Sequence, residues 1–330
     1  MRIAFVADPL DRFVIYKDST FAMMEAAAAR GHQLFALTPS DLAFVDGRMQ
    51  ARARRIELTG VDHQGDPHGP RDDWYRVVDT VECEPRAFDA IVLRKDPPFD
   101  MEYVTTTWML ERAQAEGACV INDPRAVRDH NEKFAIASFS QFTAPTLVTR
   151  DLARIRAFHA EHRDVIIKPL DGMGGMGVFH VRDDGLNLAS IVETLGLNGA
   201  RTLMAQRYIP EIAQGDKRVL LIGGKPVPYC LARIPMAGET RGNLAAGGSG
   251  VARELSARDR EIAETLGPQL HARGLVLVGL DIIGDHLTEV NVTSPTCFRE
   301  IMVQTGFNVA DMMIDAVEQS RGKAALGRAA

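Results

Sequence analysis

Cysteine is scarce in this chain: four thiols in 330 residues, Cys83, Cys119, Cys230 and Cys297, lie far apart with no CxxC pair. That spacing argues against a zinc site or a redox dithiol and fits four ordinary thiols in a reducing cytoplasm. Long apolar runs are missing too. No window approaches the roughly 20 apolar residues of a membrane span, and the opening MRIAFVAD enters a strand-like run with no basic region ahead of it, so no signal peptide is expected. The net charge of −6 is spread without blocks, which gives no basic face for nucleic acid. GxSxG, HExxH and a Ser/His/Asp order are absent, leaving nucleophilic hydrolysis without support. What remains is a chain 46% hydrophobic, long enough to bury the core of two or three domains.

Strand and helix patterns alternate at first. RIAFVAD, a helical run from Asp18 to Gly31, HQLFALT, DAIVLRKDPP, YVTTTWMLERAQAEG and ACVIND predict a parallel, doubly wound sheet over about the first 122 residues. The polar segment Gly60–Asp73 reads as a mobile loop. The pattern restarts near Asn122, with a helix from about Asn131 and the strand DVIIKPL. From Arg201 the chain becomes rich in strands. TLMAQRYI precedes KRVLLI and KPVPYCLARI, which Gly223-Gly224 joins as a hairpin. Ala237–Gly250 is rich in glycine and small residues and reads as a flexible loop, and the Ala-rich last fifteen residues are expected to fray.

Three constellations carry chemistry. The first is GLDIIGDHLTEVNVTSPT, from Gly279 to Thr296, which reads as a hairpin turning at Gly284-Asp285. Glu289 and Asn291, two apart, share a strand face, and Asp281 lies roughly opposite. Two carboxylates and a carboxamide are hard oxygen donors that suit Mg²⁺, which completes its shell with water and phosphate oxygens. The competing reading is a hairpin with a polar solvent face. The second is DVIIKPLDGMGGMGV. Lys168 ends an apolar strand, where a charge is costly unless an anion answers it. Gly172, Gly174 and Gly175 follow, and their backbone N–H groups can approach a phosphate. The pattern is neither a Walker A loop nor a dinucleotide fingerprint, and a plain tight turn is the competing reading. The third is a set of single candidates. Lys133, early in a helix capped by Asn131, is a second phosphate clamp or a surface lysine. Gln206, Tyr208 and Ile209 form an adenine wall or a plain edge strand. Arg218, Arg233 and Arg241 carry guanidinium forks that suit carboxylate and phosphate, or are in part surface arginines.

RKDPPFD, NEKF, KPLDGMGG, GDKRVL, PYCLARIP, ETRGNLAAGG and VGLDIIGDHLTEVNVTSPT, in that order over nearly the whole chain, resemble the bacterial glutathione synthetases, a family of ATP-grasp ligases. The chain departs from that pattern in the 60–73 insert, at Met176-Gly177 and in the C-terminal tail. The resemblance implies an α/β fold with an N-terminal Rossmann-like domain (1–122), a small central lid domain (123–203) and a C-terminal α+β domain (204–330). It implies ATP-dependent joining of γ-glutamylcysteine to glycine, giving glutathione, ADP and phosphate. Lys133 and Lys168 would hold phosphates with the glycines, and Gln206 to Ile209 would line adenine. Asp281, Glu289 and Asn291 would hold two Mg²⁺, with Mn²⁺ as a substitute, and the three arginines would bind the substrate carboxylate and the transferred phosphoryl group. It implies a cytoplasmic homotetramer with no membrane or nucleic-acid partner. The alternatives are a sister carboxylate-amine ligase, such as one making D-alanyl-D-alanine or adding glutamate, and a non-catalytic ATP-binding protein of the synapsin kind.

Overall fold

The computed structural model describes residues 1–60, 72–239, 241–242, 244 and 247–329, with side chains to residue 322. Most of the 60–73 insert therefore lies outside the described residues. Among these, no helix is long and apolar enough to cross a membrane.

The first of three sheets has β1 (Arg2–Ala7) at its centre, parallel to β2 (Gln33–Leu37) and β6 (Ala90–Arg94), with β7 (Val120–Ile121) parallel beyond β6. These strands are buried almost throughout, as a sheet covered on both faces requires. Helix α1 (Ser19–Ala29) starts where Asp18 Oδ1 accepts the Phe21 N–H at 2.7 Å. The reading of this region as wholly parallel needs correcting. β3 (Leu42–Val45), β4 (Arg48–Leu58) and β5 (Tyr75–Cys83) form an antiparallel ribbon on the β2 edge. Along β4, exposed Arg48, Gln50 and Arg52 alternate with buried Met49, Ala51 and Ala53, the period of an antiparallel strand with one wet face. Helix α2 (Met101–Ala115), capped by Asp100, and the short α3 (Pro124–Asp129) lead out of this sheet.

The second sheet is small and antiparallel, ordered β10-β9-β11-β8. Its strands are β8 (Thr146–Thr149), β9 (Val165–Pro169), β10 (Phe179–Val181) and β11 (Leu203–Arg207), with α4 (Leu152–His162) and α5 (Leu188–Leu195) packed on an apolar core around Ile155, Ile167 and Leu203. β11 lies between β9 and β8, so TLMAQRYI is an interior strand and not an edge.

The third sheet is ordered β14-β13-β12-β15-β16. β12 (Asp216–Ile222) and β13 (Lys225–Ile234) meet at Gly223-Gly224, whose φ values of +59° and +79° are the left-handed pair that a tight hairpin turn demands. β14 (Ser249–Glu254), α6 (Ala257–Ala272), β15 (Leu277–Ile283) and β16 (His286–Asn291) follow. Then the chain returns to the first sheet. α7 (Phe298–Thr305) and α8 (Val309–Ala329) pack towards α1, and Met313 and Ile314 share one core with Ile3, Phe5, Leu220 and Ile222. The tail expected to fray is instead helical to Ala329, with Val317 fully buried and Arg321 paired to Asp89 at 2.9 Å.

Candidate active site

The three sheets enclose a cleft of about 340 Å³, lined by the candidate phosphate, adenine, carboxylate and metal residues named above, though not by Asn131.

On one side lie two lysines. Lys168 on β9 and Lys133 are 5% and 4% exposed, so the surface reading of Lys133 fails. It stands just before a 3₁₀ helix, Phe134–Phe142, where an α-helix was expected. Asn131 does cap it, accepting the Phe134 N–H at 2.9 Å, and its Nδ2 donates to the Leu170 carbonyl at 3.1 Å, which ties this turn to the end of β9. Glu289 answers both ammonium groups, 3.3 Å from Lys133 and 3.7 Å from Lys168. Burial pulls the Lys168 ammonium below its ordinary range and Lys133 adds to that, against the attraction of Glu289. For Lys133 burial acts the same way, but Glu289 and Glu132 outweigh it and hold the ammonium above its usual range. Two cations around one carboxylate leave an excess of positive charge for a polyanion. Lys133 Nζ also donates to the Gly172 carbonyl, bringing the glycine loop to the same place. At Gly172 a Cβ would lie 2.9 Å from the Met176 carbonyl oxygen, so no larger residue fits this turn.

The third sheet supplies the guanidinium groups. Arg218 on β12 is directly opposite Asp281 on β15, and Asp216 on β12 is opposite Arg233 on β13. Arg218 donates from Nε to Asp281 Oδ1 at 2.6 Å and from Nη2 to Oδ2 at 3.2 Å. Arg233 Nη2 reaches Asp281 Oδ2 at 2.9 Å and donates to Asp216 Oδ2. Both arginines are buried, so neither is a surface residue. Despite burial, the two guanidinium groups hold the Asp281 carboxyl well below the usual carboxylate range. Asp216 goes the other way: burial, with Asp281 nearby, pushes its carboxyl up to about 6 against the pull of Arg233. Its Oδ1 is buried with no hydrogen-bond partner. Arg241 stands apart on the cleft rim, half-buried, paired with Glu239 at 3.1 Å.

The register, which the sequence leaves open by a residue or two, pairs Asp281 with Glu289 and Gly279 with Asn291, and all three donors line the cleft. Asn291 gives Nδ2 to the Gly279 carbonyl at 3.2 Å, leaving Oδ1 for a cation. Among the described residues, the ion pairs of Glu289 are those with Lys133 and Lys168. Among the described residues no cluster of three His, Cys, Asp or Glu is placed to hold a metal, so a cation here would depend on the carboxamide as well. The donor set of two carboxylates and an amide oxygen fits magnesium.

At the other end, Gln206 is buried and its Nε2 donates to Thr146 Oγ1 at 3.0 Å. The Arg207 and Tyr208 N–H groups are already given to the Pro145 and Asp164 carbonyls, so neither is free to read a base. Tyr208 stacks on His180 with centroids 4.0 Å apart. Ile166, Val178, Ile209, Ile212 and Ile283 make the wall apolar.

Glu132 in the cleft and Asn122 outside it escaped the sequence reading. Glu132 Oε1 accepts the Val292 and Thr293 N–H groups and the Thr293 hydroxyl at 2.8–3.0 Å. Asn122, buried, makes four hydrogen bonds to Val276, Leu277 and Val292, fixing β15 and the end of β16 to the first sheet. A local signal existed only for Glu132, inside NEKF. Cys297 also lines the cleft, and burial raises its thiol although Arg218 and Arg233 pull it down.

Residues 1–128 match the family described as the prokaryotic glutathione synthetase N-terminal domain, and residues 132–306 match the prokaryotic glutathione synthetase ATP-grasp domain. A glutathione synthetase of Ralstonia nicotianae is 61% identical over 327 residues, covering 99% of this chain and 98% of its own length. That of Nitrosomonas europaea is 57% identical, covering 97% and 98%. Among solved structures, the D-cycloserine synthetase DcsG superposes with a TM-score of 0.67 at 17% identity, covering 97% of this chain and all of that one. The ATP-grasp ligase PsnB, with a precursor peptide and AMPPNP, gives 0.61 at 20%, covering 97% and 98%. These two likenesses speak for the fold.

Proposed function

The chain belongs to the prokaryotic glutathione synthetase family and is an ATP-dependent ligase, and from that premise we propose that its cleft joins γ-glutamylcysteine to glycine through an acyl phosphate. A carboxylate is a poor acyl donor. Moving the γ-phosphoryl group of ATP onto the cysteinyl carboxylate turns it into a good one, which the glycine amine attacks, releasing phosphate.

The observation that carries this reading is the pairing of two buried cation sets in one cleft. Lys133 and Lys168 exceed their one shared carboxylate by a charge and suit the nucleotide phosphates. Arg218 and Arg233, held rigid by Asp281 and Asp216, are positioned for the substrate carboxylate and the phosphoryl group in transit. Groups fixed before the charge develops stabilise it without reorganising. Asp281, Glu289 and Asn291 would hold Mg²⁺, which neutralises phosphate oxygens when bound. Gly172, Gly174, Gly175 and Arg241 suit a cover that keeps water from the acyl phosphate, although four residues of the 237–250 loop lie outside the described residues, while Gln206, Tyr208 and Ile209 suit the adenine end.

The three units we propose are 1–122, 123–203 and 204–330, with β11 running across the second boundary. Resemblance supports a homotetramer, which light scattering of the purified protein checks, and a cytoplasmic place, in keeping with four free thiols. The functional test is incubation with ATP, Mg²⁺, γ-glutamylcysteine and a panel of amines, following ADP and the ligated product. Glycine should give glutathione at a rate far above alanine or D-alanine. Product formed preferentially with another acid or amine would place the protein with a sister ligase.

A further inference from the structure

Five carboxylates line the cleft: Asp96, Glu132, Asp216, Asp281 and Glu289. Four are engaged. Glu132 accepts from the Val292–Thr293 backbone, Asp216 and Asp281 pair with arginines, and Glu289 pairs with lysines. Asp96 is the exception, for its carboxylate accepts no hydrogen bond and forms no ion pair among the described residues. Its backbone, in contrast, is held at both ends. Its N–H donates to Asp8 Oδ2 at 3.0 Å, its carbonyl accepts from Lys95 Nζ at 2.6 Å, and Lys95 pairs with Asp8 at 3.0 Å.

Asp96 follows the end of β6, next to β1, where the chain order of the parallel sheet reverses (β2 on one side of β1, β6 on the other). Ligands of such sheets bind beyond the carboxyl ends of the strands at this crevice. Arg94, 3% exposed, brings the other wall to the same place: Nη2 donates to the Pro295 carbonyl at 3.0 Å, and the Ser294 hydroxyl donates to the Arg94 carbonyl at 3.4 Å. Ser294 and Thr296 line the cleft there. Asp96 is exposed at the cleft on a backbone held at both ends, and its negative charge also acts on the buried Arg94 guanidinium; a carboxylate so placed, with no hydrogen bond or ion pair of its own among the described residues, can receive an ammonium group.

We propose that Asp96 binds the α-ammonium of the γ-glutamyl residue and thereby selects an acyl donor that carries an amino group far from its reacting carboxylate. This rests on the reading of the cleft as a γ-glutamylcysteine:glycine ligase site. Glycine is the poorer match, because its nitrogen must shed a proton to attack, and a carboxylate partner favours the protonated form.

The test compares wild type and Asp96→Asn with two dipeptides: γ-glutamylcysteine and N-glutarylcysteine, which lacks only the α-amino group. The KM for γ-glutamylcysteine should rise at least tenfold in the variant. The kcat and the KM for ATP should stay near wild type, since the carboxylate makes no hydrogen bond or ion pair among the described residues, whereas the thermal midpoint reports its attraction for buried Arg94 and does not bear on the assignment. For N-glutarylcysteine, as substrate or competitive inhibitor, the two enzymes should be equal. An unchanged KM for γ-glutamylcysteine, or an equal loss with both dipeptides, overturns the assignment. A wild-type enzyme inert towards γ-glutamylcysteine overturns the ligase reading itself.

Discussion

At the scale of single residues the cleft is a set of charges buried on condition that something answers them. Lys168 is answered only at 3.7 Å, by a glutamate it shares with Lys133. Lys168→Met keeps the stem and removes the charge, so the free protein should keep its stability while ATP binding weakens by about 1.5–3 kcal/mol, the range of a hydrogen bond to a charged group. Titration calorimetry and thermal unfolding measure the two quantities, and normal ATP affinity in this variant would remove Lys168 from the phosphate site. Asp216 gives the opposite kind of prediction. Its folded pKa of about 6 lies above the reference value of 3.8, so the carboxyl costs almost nothing below pH 4, increasingly much as pH rises from there to 6, and a constant amount above. Asp216→Asn should therefore gain stability on wild type between pH 4 and 7, by up to about 3 kcal/mol for a shift of this size. Denaturant melts across that range check it; a difference that is flat or shrinks with pH would show that Asp216 is not held protonated by its surroundings.

At the scale of elements, the site is made by register. Cross-strand neighbours β12, β13 and β15 set Arg218 against Asp281 and Asp216 against Arg233, and Gly279 leaves room for the Arg218 side chain, whose Cδ lies 2.9 Å from where a Cβ would be. Arg218 is held by two bonds to Asp281 and cannot swing aside without breaking them. Gly279→Ala should therefore lower kcat at least tenfold while the KM for ATP changes little, and steady-state kinetics with each substrate varied in turn tests it. Equal kcat would mean that the guanidinium position is not critical. This scale also shows what could be read from sequence. The Gly284-Asp285 turn and the two-residue spacing of Glu289 and Asn291 are enough to place the β15–β16 hairpin and the shared face of those two residues, because strand geometry is local. The ribbon β3–β5 was missed, since its period-two signal lies between helices and strands that follow another rhythm. The ion pairs were missed because Asp216 and Arg233 are 17 residues apart and Arg218 and Asp281 are 63 apart, and no local pattern reports such pairings.

At the scale of the whole molecule, all three sheets contribute to one cleft. The first brings Asp96 and, through Asn122, anchors the β15–β16 hairpin. The second brings Lys168 and the glycine loop, and the third the arginines and the oxygen donors. The fold class and the residues of the cleft were legible because long motifs keep the family's order, whereas the return of α7 and α8 onto the first sheet was not, since amphipathic helices do not state which face they will cover. Joining these parts implies that the cysteinyl carboxylate is phosphorylated before glycine attacks. The most direct test is to label that carboxylate of γ-glutamylcysteine with ¹⁸O, run the reaction with ATP, Mg²⁺ and glycine, and analyse the phosphate by mass spectrometry. An acyl phosphate route predicts one ¹⁸O in the released phosphate for each glutathione formed. Unlabelled phosphate alongside full glutathione synthesis would contradict it.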